Sequence, residues 1–219
     1  MSRVAALFDL DKTLLDVSSG QLYARYLYRH GRVGRRELAQ VVWWGVLSRL
    51  GVLDMQALIP RLLSSAAGDD EREMRLLCDQ WFAEDVLPHL TVRGRQRVAE
   101  HQAQGQVVAL VSASTQYVVG PMAAYLGFPG QYVCTHLESQ DGHLTGEIVP
   151  PPCYGFGKVV WAERFAAEHD VDLGASSFYS DSISDLPLLE RVGRPVAVNP
   201  DPRLRRLARK RGWPVESFY

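Results

Sequence analysis

The first apolar run, Val4 to Phe8, is short and almost unbroken. That is the pattern of a strand covered on both faces. It stops at the polar stretch Asp9-Leu10-Asp11-Lys12-Thr13. From about Ser18 to His89 the spacing becomes helical. Leu22, Tyr26 and Leu27 share one face, and Leu38, Val41, Val42 and Val46 mark another that runs toward Leu50. Asp69-Asp70-Glu71 places acids in the first turn of a third helix, with Leu76, Leu77, Phe82 and Val86 behind it. Pro88 closes the region, and no strand pattern interrupts it.

Strands and helices then alternate. Gln106–Val111 reads as a strand ending at Ser112, Gln116–Leu126 as a helix carrying Pro121, and Tyr132–Leu137 as a strand. Asp141-Gly142 begins a hairpin turn whose return strand reaches Ile148. Lys158–Glu168 is an amphipathic helix, Ser176–Tyr179 a strand, Leu186–Val192 a helix, Pro195–Val198 a strand and Asp201–Arg211 a terminal helix. Repeated strand–helix units predict an α/β fold: a doubly wound parallel sheet with helices on both faces, carrying an inserted all-helical unit. The expected division is a core of residues 1–16 and 89–219 and an insertion of residues 17–88.

Composition narrows the function. The 219 residues carry 24 Lys and Arg against 25 Asp and Glu, a net charge of −1. That excludes binding of nucleic acid by bulk positive charge. Three widely spaced cysteines, Cys78, Cys134 and Cys153, include no CxxC pair, and the histidines form no HxxxH or HExxH. A zinc site is not expected. Charge at Asp9 and Asp11 comes too early for a signal peptide. The apolar run Val41–Leu47 is far shorter than the ~20 residues of a membrane span. The expectation is a cytoplasmic protein without stable membrane insertion.

Four polar signals follow predicted strands: Asp9 with Asp11, Ser112, Lys158 after a Gly-rich loop, and Asp181 with Asp185. In a parallel sheet such positions converge on one edge, where ligands bind. A hydroxyl, an ammonium and several carboxylates meeting there suit phosphoryl transfer. The carboxylates can hold Mg²⁺, and the cation and donors offset phosphoryl oxygens. Each residue also has a plainer reading. An isolated Asp caps turns, Ser112, Ser114 and Thr115 each fit a helix N-cap, and most lysines lie on helix surfaces. Trp43-Trp44 reads as packing, the basic run from Arg203 to Arg211 as a solvated helix face, and His143 as a surface residue.

Phe8-Asp9-Leu10-Asp11-Lys12-Thr13-Leu14 resembles the DxDxT signature of haloacid dehalogenase-superfamily phosphatases. Ser112, Gly157-Lys158 and Asp181-Ser182-Ile183-Ser184-Asp185 resemble its second, third and fourth motifs, in the same order. The hairpin and the helical segment after the first motif resemble the subgroup that contains phosphoserine phosphatase. The last motif differs from the common GDxxND form in having Ser180 for Gly and Ser184 for Asn.

The resemblance implies a Mg²⁺-dependent phosphomonoesterase for a small phosphorylated metabolite. Asp9 would be the nucleophile, and Asp11 the acid and base, its backbone carbonyl also touching the metal. Thr13 would fix the loop. Ser112 and the neighbouring N–H at Ala113 would bind phosphoryl oxygens. Lys158 would bridge Asp9 and the phosphate. Asp181 would bind metal with Asp9 and Asp11, and Asp185 would hold Lys158 or a metal-bound water. A carboxylate two residues after the nucleophile argues against dehalogenation. Phosphoserine-specific relatives carry a Glu nine residues past the nucleophile, where this chain has Ser18. Phosphoserine is therefore disfavoured, while histidinol phosphate and related metabolites stay open. Two other readings are a lipid-phosphate phosphatase at a membrane surface, suggested by Val41–Leu47 beside Arg35, Arg36 and Arg49, and a non-catalytic binder of phospho-ligands.

Overall fold

A computed structural model describes residues 2–49 and 55–219. Leu50, expected on the second helical face, lies outside them, as do the side chains of Val42, Val46 and Arg49. The first apolar run forms β1 (Ala5–Phe8), every residue of it buried. Four helices follow: α1 (Ser19–Arg29), α2 (Arg35–Arg49), α3 (Met55–Leu63) and α4 (Glu71–Trp81). Asp70 caps α4, its carboxylate accepting from the Glu73 amide at 2.9 Å. α5 (Val92–Ala103) leads back to the sheet and is capped in the same way by Thr91.

The remainder alternates: β2 (Val107–Thr115), α6 (Gln116–Tyr125), β3 (Tyr132–Thr135), β4 (Leu137–Gln140), β5 (His143–Ile148), α7 (Phe156–Glu168), β6 (Ser177–Ser180), α8 (Leu186–Arg191), β7 (Arg194–Val198), α9 (Pro202–Arg211) and β8 (Val215–Glu216). Among the described residues, the main sheet runs β3-β2-β1-β6-β7-β8 with every pair parallel. β1 and β2 are neighbours, so α1–α4 are an insertion between adjacent strands. The chain winds outward from β1 to β3 and then returns on the other side from β6. Its direction reverses between β1 and β6, the place where such sheets bind ligands.

Alternation along the strands builds the two cores. Ala5 and Leu7 point to α7, α8 and α9, while Ala6 and Phe8 point to α5, α6 and the insertion. Phe8 stacks on Tyr179 with ring centroids 4.5 Å apart. β4 and β5 form a separate antiparallel hairpin that fastens to the insertion. The Leu144 amide donates to Asp69 O and the Gly68 amide to Leu144 O, both at 2.8 Å.

Three expectations are revised. β2 does not end at Ser112 but continues to Thr115, with a register shift between Ser112 and Thr115 where it pairs with β3. Ser112 thus sits in an irregular stretch of strand and not beyond its end. The predicted strand Tyr132–Leu137 is two strands, because the side-chain amide of Gln116 takes both backbone groups of Leu137 and draws it out of the main sheet. The edge strand β8 has no counterpart in the sequence reading. Two residues paired through backbone alone leave no periodic signal.

Candidate active site

Asp9 follows β1 with extended backbone, and its amide still donates to Tyr179 O of β6 at 2.9 Å. The chain then makes one wide turn, Leu10–Leu14, with Lys12 in the left-handed region at φ 58°. The Leu15 amide closes this turn on Leu10 O. The turn brings Asp9 and Asp11 to the same cleft.

Lys158 is the third residue of α7, two residues later than its predicted place at the helix start, and it is buried. The helix begins where it does because Gly157 lies against Pro152. A Cβ on Gly157 would stand 2.0 Å from the Pro152 carbonyl oxygen. Lys158 Nζ donates to Asp9 Oδ1 and to Asp185 Oδ2, each at 2.6 Å. Asp185 Oδ2 also accepts from Ser180 Oγ at 2.7 Å, and Asp9 Oδ2 from Thr13 Oγ1 at 3.3 Å. Ser180, which departs from the common motif, therefore orients Asp185. The Ser184 hydroxyl instead bonds to that of Ser182.

These residues floor a cleft of about 550 Å³. Ser112, Ala113, Asp181 and Asp185 line it, as do Ser18, Gln21, Val41, Trp44 and Leu62 of the insertion. All the predicted site residues meet here. Trp44, read from sequence as packing, lines the cleft, and so does Arg203 from the run read as a solvated face. Neither had a signal: Trp44 comes in through the packing of the insertion over the sheet edge, and Arg203 through the start of α9 just beyond β7. Ser19 is the residue the sequence reading passed over. Its amide and hydroxyl donate to Asp11.

Charge in the cleft is unbalanced. Burial raises Asp9 to about 7, Asp185 and Asp11 adding to the effect and Lys158 opposing it. Burial also pushes Asp181 well above the ordinary carboxylate value, with Asp9 and Asp185 adding and Lys12 and Lys158 opposing. For Lys158, burial favours the neutral amine, but Asp185 and Asp9 outweigh it and hold the side chain charged.

Crowded oxygen anions of this kind fit a divalent cation of the Mg²⁺ type. Such an ion takes one or two carboxylates and keeps several waters. Among the described residues, no three His, Cys, Asp or Glu side chains form a metal cage by themselves. Asp9 and Asp181 are the side chains that could hold such an ion, with a backbone carbonyl and water completing it. The Asp11 carboxylate is taken up by hydroxyls instead.

A parallel α/β sheet carries paired acids and a buried lysine at its switch point. Residues 6–190 match the family model of haloacid dehalogenase-like hydrolases, and the chain belongs to that family. Within it the chain is a phosphatase. It is 34% identical to a histidinol-phosphatase of Neisseria meningitidis, over 97% of this chain and 98% of that one. A structure of a protein of unknown function from Bordetella pertussis Tohama I matches with a TM-score of 0.88 and 35% identity, over the full length of both chains. A substrate-bound phosphoserine phosphatase shares the fold, with a TM-score of 0.74 over 100% of this chain and 94% of that one, at 18% identity. Among the described residues, no helix is long and apolar enough to cross a membrane.

Proposed function

We propose that this chain is a Mg²⁺-dependent phosphomonoesterase that hydrolyses a small phosphorylated metabolite through an aspartyl-phosphate on Asp9. The observation that carries the reading is the buried Lys158 ammonium, 2.6 Å from Asp9 and from Asp185 at the floor of the cleft. Binding alone has no use for a buried carboxylate held at this spot. A nucleophile needs one, with a cation beside it to admit an anionic substrate.

The Asp9 carboxylate attacks phosphorus and the bond from phosphorus to the alcohol oxygen breaks. Asp11 gives its proton to that oxygen. In the second half, Asp11 takes a proton from water as the water attacks the phosphoryl group, and Asp9 is released with inorganic phosphate. Ser112 and the Ala113 N–H bind phosphoryl oxygens, and Lys158 offsets their charge. Asp9, Asp181 and the Asp11 carbonyl would hold the cation, which supplies further positive charge to the phosphoryl oxygens when bound. Residues 17–88 serve as a cap that excludes water from the cleft and selects the substrate.

For the alcohol part, the insertion offers Ser18, Gln21, Val41, Trp44 and Leu62 and, among its described residues lining the cleft, no carboxylate. That favours an apolar or flat leaving group over a small zwitterion such as serine. Histidinol phosphate, the ester implied by the name of the Neisseria relative, carries an ammonium as serine does but no carboxylate, and adds a flat ring; it is the first substrate to try.

The test is p-nitrophenyl phosphate hydrolysis with Mg²⁺, with EDTA, and in Asp9→Asn. Activity is expected to need the metal and to vanish in Asp9→Asn, which should also form no phospho-enzyme by mass. Full turnover in excess EDTA, or a phosphate trapped on Ser112, would overturn the reading.

A further inference from the structure

Three oxygens form a closed triangle beside the cleft. Ser19 Oγ and Ser114 Oγ each lie 3.1 Å from Asp11 Oδ2, and 2.8 Å from one another. The other carboxylate oxygen, Asp11 Oδ1, accepts from the Ser19 amide at 2.8 Å. Ser19 is the first residue of α1 and is buried, while Ser114 lies near the end of β2. The N-cap residue of α1, Ser18, makes no side-chain capping bond. The Asp11 carboxylate takes over that work, and a helix start favours its negative charge.

We infer that Ser19 and Ser114 are positioning residues for Asp11, and that through them its acid–base geometry depends on the seating of the insertion against the sheet. The inference rests on the proposed acid–base role of Asp11. The geometry supports it. The two hydroxyls touch one another, so each helps to fix the other. Two of the three donors that reach the Asp11 carboxyl, the Ser19 amide and hydroxyl, belong to α1 of the insertion, and the third, the Ser114 hydroxyl, belongs to the sheet. A shift of α1 by an ångström would break the first two and leave Asp11 on Ser114 alone.

The leaving group tests this. p-Nitrophenolate departs without a proton at neutral pH, whereas an alkoxide needs one, so misplacing the acid harms alkyl esters more. General acid–base assistance contributes about 10²–10⁴-fold. Ser19→Ala and Ser114→Ala are therefore expected to lower kcat/KM, which reports formation of the aspartyl-phosphate and not its hydrolysis, by about ten- to a hundredfold on an alkyl phosphate, and on p-nitrophenyl phosphate by much less. Ser114→Thr, which keeps the hydroxyl, should restore most of the alkyl kcat/KM. Equal losses of kcat/KM on both esters, or no loss on either, would overturn the inference. Ser114→Ala provides the reading if Ser19→Ala does not fold. A wild-type protein that hydrolyses neither ester would overturn the phosphatase reading itself, which is a separate outcome.

Discussion

At the scale of single residues, the site works by crowding like charges around one buried lysine. Asp9 and Asp185 both bond to Lys158; Thr13 holds the other oxygen of Asp9, while Ser180 donates to the same Asp185 oxygen that Lys158 reaches. Removing the lysine would leave two buried carboxylates without their cation, a change that typically costs about 3–5 kcal/mol. Ser18 offers the converse experiment. It lines the cleft and makes no capping bond through its side chain, so a Glu there would sacrifice no hydrogen bond and would suit the start of α1. A charge-assisted contact with a substrate ammonium is worth about 1.5–3 kcal/mol, or roughly ten- to a hundredfold. Ser18→Glu is expected to raise kcat/KM for phosphoserine by that order, with little change for a neutral-headed ester. Measuring kcat/KM for both esters in both proteins decides it, and a wild type that already prefers phosphoserine would refute the role given to this position.

At the scale of elements, the start of α7 decides where Lys158 stands. Gly157 fills a gap too small for a methyl group, its would-be Cβ 2.0 Å from a backbone oxygen of Pro152. Backbone cannot yield as a flexible side chain can, and overpacking of this kind costs about 1–3 kcal/mol. Gly157→Ala should lower the melting temperature by several degrees. It should also lower kcat, since the shift moves the ammonium away from Asp9. An unchanged melting curve together with unchanged kcat would show that the loop before α7 adapts freely.

At the scale of the whole molecule, the insertion and the core meet along paired connections. Leu15 and Leu90 form an antiparallel bridge, and the Thr91 amide donates to Leu14 O at 2.9 Å. His89 Nδ1 and Asp16 Oδ1 lie 2.6 Å apart beside them. Beneath the sheet, His101 is buried between Gln106 and Tyr179, with ring nitrogens 2.7 and 2.8 Å from their oxygens. Burial is the main reason its pKa lies below the ordinary 6.5. Above 6.5 the ring is neutral folded or unfolded, and nothing is lost. As pH falls through 6.5 toward the depressed value, the unfolded chain takes a proton that the folded one refuses, so stability declines. Denaturant titrations between pH 7.5 and 5 should show that decline, and His101→Gln should make it shallower. Identical slopes in the two proteins would assign the pH dependence to other groups.

Much of this was legible in the sequence because the signals are local. Nearly unbroken apolar runs mark strands that must bury both faces, and polar residues placed after such runs fall toward one edge of any parallel sheet. Asp9, Asp11, Ser112, Lys158, Asp181 and Asp185 could be named on that ground, and all of them line one cleft. Other features depend on groups far apart in the chain. Ser19 and Ser114 are 95 residues apart and become a pair only when α1 is laid against β2. Trp44 and Arg203 enter the cleft from opposite ends of the sequence, on helices whose own patterns give no reason to expect it. The break at His136 depends on the Gln116 amide, 21 residues before Leu137. Periodicity records which face of an element is buried. It does not record which element covers that face, and hydrogen bonds between elements are decided by that packing alone.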